Sequence, residues 1–359
     1  MPAVPRGGVG AALKSRARCL VAKILLASSE GEFPRHGHRY SETASQINSR
    51  ALSMSDLTFA HISDLHLPFE PHLSIGQRLS KRQLSVWSWR RRHAVQSGDV
   101  LAALAQDVRA HAVGQVLVTG DITNFSLPGE FRQAADWLTA LAPAERISLV
   151  PGNHDALVPV PAAEGLGLWA AWTRLQAGWP FVHRVGEVSL IGLNSALPTA
   201  PLLARGRLGA DQLARLERLL TTEGAAGQVR IVMLHHPAAG GAIGWRKALA
   251  DGDELRAMLQ RAGAELVLHG HARDARLDAI AGPGEAIPCL CVPSSTAVPN
   301  PQDQGARWHR LRLIGHALDR RIEVTVRRWS VSAQAFKTDG AYELCLPRGT
   351  QGAGDNRSA

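Results

Sequence analysis

The chain has 359 residues, of which 45% are apolar and 20% charged, so it is long enough and apolar enough to fold around a full core. Its formal net charge of +9 allows for an anionic partner such as a phosphorylated substrate, nucleic acid or a lipid surface. The four cysteines show no Cys-x-x-Cys spacing, which excludes a disulfide scaffold and predicts a cytoplasmic location. No apolar run approaches the roughly 18 residues of a membrane span.

The first 53 residues differ from the rest of the chain. They are rich in Arg, Ser, Ala and Gly, with few acids and no sustained hydrophobic period. This composition predicts a disordered extension, or a start assigned upstream of a true one at Met54; a targeting segment is a further interpretation. Residues 54–347 are predicted to form the folded domain, and the polar tail, residues 348–359, is predicted to be disordered.

The folded region opens on an apolar alternation from Leu57 that ends in Asp64 and His66. Side chains two residues apart on an extended segment leave by the same face, so this carboxylate and this imidazole can bind one cation. His61, three positions before Asp64, is predicted to be a structural histidine.

Residues 68–98 form a cap-like insertion before the next regular element, and basic residues alternate there with tryptophans, as in Trp87 to His93. This pattern is compatible with binding to nucleic acid or to a phospholipid surface. It is also compatible with a solvated, amphipathic cap beside an anionic-substrate site, because Arg and Lys near a phosphate need no polymer to explain them.

The remaining elements alternate between helix and strand. Helices are predicted over residues 100–110, 128–141, 209–220 and 254–262, and strands over residues 116–119, 147–150, 188–193, 229–234, 264–268, 288–292, 308–313 and 322–329. The last three strands are expected to complete a second sheet. The chain has no Gly-x-Ser-x-Gly motif, which disfavours a serine hydrolase.

Several predicted strands end in a polar side chain that could bind a metal. Gly120 breaks the run 116–119 and is followed by Asp121, and ligands bind at the carboxyl ends of strands in open α/β sheets. Any one of these side chains could serve only as a cap or a buried hydrogen-bonding group. Together they offer oxygen and imidazole donors without thiolate, which suit Mn, Fe or Zn. The set comprises Asp64, His66, Asp121, Asn153, His154, His235 and His271.

These motifs resemble the signature of the calcineurin-like metallophosphoesterase superfamily over Met54 to about Val292. The matching segments are Asp64-Leu65-His66, Gly120-Asp121-Ile122-Thr123-Asn124, Gly152-Asn153-His154-Asp155, Leu234-His235-His236 and Gly270-His271. The resemblance implies an α/β fold, a four-layer α/β/β/α sandwich of two mixed sheets flanked by helices. It also implies two metal ions at the strand ends and the hydrolysis of a phosphorylated small-molecule substrate.

The resemblance further implies how the metals are held. Asp64, His66 and Asp121 would bind the first ion, and Asp121 would bridge to a second ion completed by Asn153, His235 and His271. A bridging carboxylate suits two cations that repel one another. A water or hydroxide shared by the metals would attack phosphorus in line.

Three other residues receive implied roles near the substrate. His154, oriented by Asp155, would stabilise phosphoryl oxygens or protonate the leaving group. His236 would support the metal ligands, or contact the substrate, rather than bind metal.

The last motif departs from the family pattern, because Arg273 stands where many members have a second histidine. Arginine stays protonated and cannot bind a metal. Either the first metal keeps three protein ligands and Arg273 binds a substrate phosphate, or the first metal is lost and the protein acts as a binding module. An active phosphodiesterase or phosphomonoesterase is favoured. A nuclease that uses the insertion and an enzyme of a lipid-linked precursor are the alternatives, and the oligomeric state stays open.

Overall fold

The computed structural model describes residues 57–90, 96–174, 176, 178–299, 305–316 and 319–347. The segments predicted to be disordered, residues 1–53 and 348–359, lie outside the described residues, as do residues 91–95 of the insertion. Within the described ranges, no helix is long and apolar enough to cross a membrane.

The described strands form two mixed six-stranded sheets. In chain order they are β1 (Thr58–Ile62), β2 (Gln115–Val118), β3 (Ile147–Leu149), β4 (Phe181–Val185), β5 (Val188–Gly192), β6 (Val229–Met233), β7 (Leu266–His269), β8 (Arg276–Ala281), β9 (Ala286–Cys291), β10 (Arg307–Ile314), β11 (Arg321–Ser330) and β12 (Ala335–Cys345). The first sheet has the order β12-β11-β10-β1-β2-β3, and the second has the order β4-β5-β6-β7-β9-β8.

Helices lie before, between and after these strands. The α-helices are α1 (Ile75–Arg78), α2 (Lys81–Arg90), α3 (Gly98–Ala110), α4 (Pro128–Leu141), α5 (Ala170–Thr173), α6 (Ala210–Ala225) and α7 (Gly252–Ala262), with 3-10 turns at Ala144–Arg146, Ala162–Glu164 and Leu166–Trp169. The four-layer sandwich predicted from the sequence is therefore confirmed.

Alternation along each strand explains the layers, because neighbouring residues point to opposite faces. In β2, Val118 packs with Phe131 of α4 on the outer face of the first sheet. Leu117 packs on the other face, in the core between the sheets that also contains Leu268 of β7. Val267 faces a third core, beneath α6 and α7. Central strands are thus buried on both faces, as their apolar runs predicted.

The predicted helices and strands are present, with end shifts of a few residues. One assignment was wrong: of the three late strands, β10 and β11 do not join the second sheet. β10 runs antiparallel to β1, and β11 and β12 extend the first sheet from there. Only β9 belongs to the second sheet. Strand pairing over some 250 residues has no local signal, so the sheet assignment could not be read from the pattern.

The insertion is docked on loops from both sheets by two adjacent basic residues at the start of α2. The guanidinium of Arg82 donates hydrogen bonds to the carbonyls of Phe125 and Ser126, at 3.0 and 2.6 Å. The ammonium of Lys81 donates to the hydroxyl of Thr199 and the carbonyl of Leu203, at 2.6 and 2.7 Å. These two cations therefore hold the insertion in place and face the protein, not a partner.

A buried histidine between the sheets should make folding sensitive to acid. Burial and the charge of Arg307 lower the pKa of His309 from the ordinary 6.5 to about 3. Between these values the unfolded chain takes up a proton that the folded chain does not, so the free energy of unfolding falls as the pH falls. His309 contributes up to about 1.4 kcal/mol per pH unit to this fall in the free energy of unfolding below pH 6.5, and we expect His309→Asn to abolish that contribution.

Urea unfolding of the metal-free protein at pH 7, 6 and 5 would measure this slope. His72→Asn, at an exposed position, is the matched control and should leave the slope unchanged. An equal slope in His309→Asn and the unaltered protein would contradict the prediction.

Candidate metal centre

The predicted metal-binding side chains meet where the loops of the two sheets converge. β1, β2 and β3 run parallel in the first sheet, and β6 and β7 run parallel in the second, so each group of loops leaves at one edge. Asp64 and His66 follow β1, Asp121 follows β2, Asn153 and His154 follow β3, His235 follows β6, and His271 follows β7.

The backbone at this junction is left-handed at four of these residues. The φ angles of Asp64, His66, Asp121 and His271 are 50°, 41°, 55° and 64°. The expectation that Asp64 and His66 lie on an extended segment was therefore wrong, because β1 ends at Ile62. Left-handed residues other than glycine cost free energy and persist only where surrounding contacts hold them. Here Asp64 and His66 donate backbone hydrogen bonds to the carbonyls of Gly120 and Asp121, at 2.9 and 3.0 Å.

Two glycines allow these loops to cross closely. A Cβ on Gly152 would lie 2.2 Å from Oδ1 of Asp121, and a Cβ on Gly270 would lie 1.9 Å from Oγ of Ser63. Neither distance is sterically allowed, so only glycine fits at these crossings. The glycines in the sequence motifs thus serve the packing of one loop on another.

Three possible ligand atoms converge on Nε2 of His235. Its other ring nitrogen donates a hydrogen bond to the carbonyl of Thr119 at 2.7 Å, so the neutral imidazole presents a lone pair at Nε2. Nε2 lies 3.3 Å from Oδ2 of Asp121, 3.2 Å from Oδ1 of Asn153 and 3.2 Å from Nδ1 of His271. Lone pairs that face one another at these distances repel unless a cation lies among them.

The electrostatics of the group also indicate a cation site. Burial opposes charge on His235, but Asp121 and Asp64 outweigh it and raise the pKa of His235 to about 9. Burial likewise opposes ionisation of Asp121, but His235 and His154 hold the pKa of this carboxyl well below its usual value. A proton on His235 therefore supplies the positive charge that a metal ion would otherwise bring.

A second group of donors shares Asp121. The ligand atoms of His66, Asp121 and His154 lie within 4.8 Å of one another, and Nε2 of His66 is 3.9 Å from Oδ2 of Asp121. Nδ1 of His66 donates to the carbonyl of Thr123 at 3.2 Å, which leaves Nε2 as the ligand atom. Asp121 belongs to both groups, as a bridging carboxylate would. The aspartate expected here, Asp64, is not in the group.

Asp64 lies buried beside both groups, where hydrogen bonds hold one of its carboxyl oxygens. Its Oδ2 accepts hydrogen bonds from the hydroxyl of Ser63 at 2.7 Å and the backbone N–H of His271 at 3.1 Å. Burial raises the pKa of Asp64, and the charge of Asp121 raises it further. Its carboxyl group therefore fixes the loop that carries His271.

The donor set fits metal ions. Carboxylate, amide and imidazole donors suit divalent cations, and donors separated by 3.2–3.3 Å can surround an ion at bond lengths of about 2.1 Å. Burial together with His236 and His235 lowers the pKa of His271 well below its usual value, which keeps this imidazole neutral as a ligand must be. Nε2 of His271 is also buried without a hydrogen-bond partner in the described structure.

The structure gives Asp155 a different contact from the expected one. Its carboxylate does not reach the His154 ring, but accepts hydrogen bonds from the backbone N–H groups of Asp121, Ile122, Thr123 and Gly152 and from the Thr123 hydroxyl. The ring of His154 is fixed instead by the carbonyl of Asn124, which accepts from Nδ1 at 2.8 Å. Asp155 therefore holds the loop that carries Asp121.

His236 is not exposed to a substrate, contrary to the expectation that it could contact one. Its side chain is fully buried, and its ring nitrogens contact the hydroxyl of Ser195 at 2.8 Å and the carbonyl of Ala204 at 3.2 Å. Burial and the charge of His235 lower the pKa of His236 to about 3. The ring lies 4.7 Å from that of His271, which it supports.

Arg273 is exposed and forms no hydrogen bond or ion pair among the described residues. Its charge acts together with burial and His154 to lower the pKa of His66 to about 3, so the guanidinium lies near the His66 side of the centre. The adjacent residue Asp274 pairs with Arg276 at 3.6 Å.

Two groups of supporting residues were missed by sequence reasoning. Glu130 accepts hydrogen bonds from the backbone of Asn124, Phe125 and Leu127, and so closes the loop after β2. A glutamate three residues after the helix N-cap, with proline at the first helical position, was a signal for this role. Ser294, Ser295 and Thr296 contact the backbone of residues 63–65, and nothing in their spacing indicates it.

Comparisons with known proteins agree with this geometry. A sequence model described as calcineurin-like phosphoesterase matches residues 57–272, more than half of the chain. No curated protein is significantly similar in sequence.

Among solved structures, the chain is similar to a purple acid phosphatase from yellow lupin (Lupinus luteus) seeds, at 13% identity and a TM-score of 0.54, over 82% of this chain and 54% of that one. It is also similar to a dimetal phosphatase from Danio rerio, at 15% identity and a TM-score of 0.49, over 80% and 99% of the two chains. A zinc-complexed Vps29 from Entamoeba histolytica matches at 11% identity and a TM-score of 0.33, over 80% and 98%. The likeness to the lupin phosphatase shows a shared fold.

Substitutions of the two residues that follow Asn153 should differ in their effect on the free energy of unfolding. Asp155→Asn places amide N–H groups against backbone N–H groups, so we expect the free energy of unfolding to fall by about 3 kcal/mol. His154→Asn should leave it within about 1 kcal/mol, because this half-buried ring lies at the edge of the site. Urea unfolding of both variants measures the difference. Unchanged stability in Asp155→Asn would show that the loop does not depend on this carboxylate.

Proposed function

Because the chain belongs to the calcineurin-like phosphoesterase family, we propose that it is a metal-dependent phosphohydrolase that cleaves a phosphodiester or phosphomonoester of modest size. The observation that carries this proposal is the convergence of Asp121, Asn153 and His271 on His235, with Asp121 shared by a second donor group. Mn, Fe or Zn are the proposed ions, and the cytoplasm is the proposed location.

The residues that would hold each ion follow from the two donor groups. Asp121, Asn153, His235 and His271 would hold one ion. His66 and Asp121 would hold the other, with Asp64 and His154 as the neighbouring donors. When bound, the ions would lower the pKa of a water molecule and offset negative charge on the phosphoryl group.

We assign to His154 the role of moving a proton. Its Nδ1–H donates to the carbonyl of Asn124, so Nε2 is the nitrogen that would exchange a proton with the substrate. A proton held at Nε2 can be donated to the oxygen of the leaving group, or shared with a phosphoryl oxygen as charge develops there. The backbone N–H of His154 donates to Oδ1 of Asp121 at 2.7 Å, which ties this imidazole to the bridging carboxylate.

Arg273 is the residue that we assign to substrate phosphate. Its guanidinium is exposed, is not paired with a carboxylate among the described residues, and is close enough to His66 to depress the pKa of that imidazole. A free cation beside a cation site would be repelled, whereas an anionic phosphoryl group between them would attract both. Arginine also offers two parallel N–H donors to phosphate oxygens.

The first test is hydrolysis of bis(p-nitrophenyl) phosphate with Mn²⁺, alongside metal content per chain. We expect two ions per chain and activity that EDTA abolishes. Asp121→Asn should lose metal and lower kcat by about 1000-fold, since it weakens both donor groups. Turnover that is unaffected by EDTA and by Asp121→Asn would contradict the proposal. One ion or none, with no turnover, would favour the binding module instead.

Arg273 gives a separate prediction. Arg273→Ala should raise KM about 10–100-fold, because a charge-assisted hydrogen bond to phosphate is lost, and should leave metal content unchanged. Arg273→Lys should recover part of the loss, since the charge returns without the two parallel donors. Steady-state kinetics on bis(p-nitrophenyl) phosphate measure both variants. A loss of metal in Arg273→Ala would instead show that this residue supports the ion.

A further inference from the structure

Several large apolar side chains are exposed on the insertion and on the segments that follow β5 and β6. Ile75 and Leu79 of the insertion are 83% and 88% exposed, Leu202 is 78% exposed and Trp245 is 65% exposed. Single exposed apolar residues are common, but a contiguous group on one surface indicates an interaction site.

The segments that carry these side chains touch one another. Lys81, two residues after Leu79, donates a hydrogen bond to the carbonyl of Leu203, the neighbour of Leu202. The N–H of Ala204 donates to the carbonyl of Arg246, the neighbour of Trp245, at 2.9 Å. Residues 71–90, 196–209 and 238–250 thus form one continuous border, which we call the rim.

The rim adjoins the metal centre. The carbonyl of Ala204 contacts Nε2 of His236 at 3.2 Å. On the insertion side, a cavity of about 370 Å³ begins at His66 and is lined by Phe69, Glu70 and Trp89. Segments of the rim therefore border the site.

The rim is basic and contains no acid. Its three segments have no Asp or Glu, and their basic residues are Arg78, Lys81, Arg82, Arg90, Arg205, Arg207, Arg246 and Lys247. Lys81 and Arg82 hold the insertion in place, whereas Arg78, Arg90, Arg207, Arg246 and Lys247 are exposed. Elsewhere acids and bases are mixed, as in the pairs Arg312–Glu323 and Arg321–Glu343 of the first sheet.

We propose that the rim docks on an anionic phospholipid surface. Exposed aliphatic and indole side chains gain by entering the boundary between headgroups and acyl chains, and the surrounding Arg and Lys are attracted to anionic headgroups. Nucleic acid would satisfy the charges but would not bury Ile75, Leu79 or Leu202. No other feature of this surface favours a protein partner.

Docking in this way turns the mouth of the site towards the bilayer. The substrate is then a phosphoester carried on a lipid headgroup or a lipid anchor, an assignment that rests on the proposed phosphohydrolase function. The docking itself does not, because it depends on side chains that have no part in the metal centre.

The test is sedimentation of the full chain with phosphatidylcholine vesicles that contain or lack about 30% phosphatidylglycerol. We expect binding to the anionic vesicles, weakened by salt, and at least about a tenfold loss of affinity in the double variant Leu79→Ser/Leu202→Ser. Val331→Ser, at an equally apolar position 56% exposed between β11 and β12, is the matched control and should bind normally.

Hydrolysis of soluble bis(p-nitrophenyl) phosphate by the same variants separates docking from catalysis. The double variant should keep the unaltered turnover, which also shows that it is folded. Failure to bind anionic vesicles overturns the inference, even if this turnover is normal. Equal binding by the double variant and Val331→Ser also overturns it, and a preference for duplex DNA over vesicles would identify the rim as an electrostatic surface for nucleic acid.

Discussion

The site depends on a carboxylate buried where the two sheets meet. Asp121 is 2% exposed, and its Oδ2 lies 3.3 Å from His235 of the second sheet and 3.9 Å from His66 of the first. A buried carboxylate is costly unless positive charge compensates it, and its partners here are imidazoles that can be neutral. The junction therefore requires either a proton on His235 or metal ions. The left-handed backbone at Asp64, His66 and Asp121 is the conformational cost of bringing these groups together.

Much of the site could be predicted from the sequence, because its donors follow buried strands. Parallel strands end at one edge, so the pattern around Asp121, His235 and His271 was enough to predict that they meet. The backbone conformation of these residues and the hydrogen-bond partners of their side chains could not be predicted in the same way. Asp155 follows His154 directly in sequence, yet its carboxylate accepts from backbone N–H groups 32–34 residues away. Which side chain accepts hydrogen bonds from those N–H groups depends on the path of a loop, and the spacing of residues in the sequence does not determine that path.

Contacts between residues that are distant in sequence could not be predicted from local patterns for the same reason. Ser294 and Thr296 donate to the carbonyls of Asp64 and Leu65, across 230 and 231 residues, and thereby help to hold the turn after β1. The misassigned late strands belong to the same part of the fold, since β10 pairs with β1 beside this turn. Apolar alternation predicted that the strands exist. It carries no information on which neighbour they pair with, because either sheet would bury the same faces.

The insertion shows how burial distinguishes basic residues that composition cannot tell apart. Its basic residues indicated a partner surface, but Lys81 and Arg82 face inward while Ile75 and Leu79 face solvent. Arg82 holds the carbonyls of Phe125 and Ser126, and the adjacent carbonyl of Asn124 holds the ring of His154. One short loop thus connects the insertion to the proposed proton donor. The outward aliphatic side chains and the inward contacts of Lys81 and Arg82 belong to the same insertion, so the proposed docking surface and the loop that orients His154 are physically continuous.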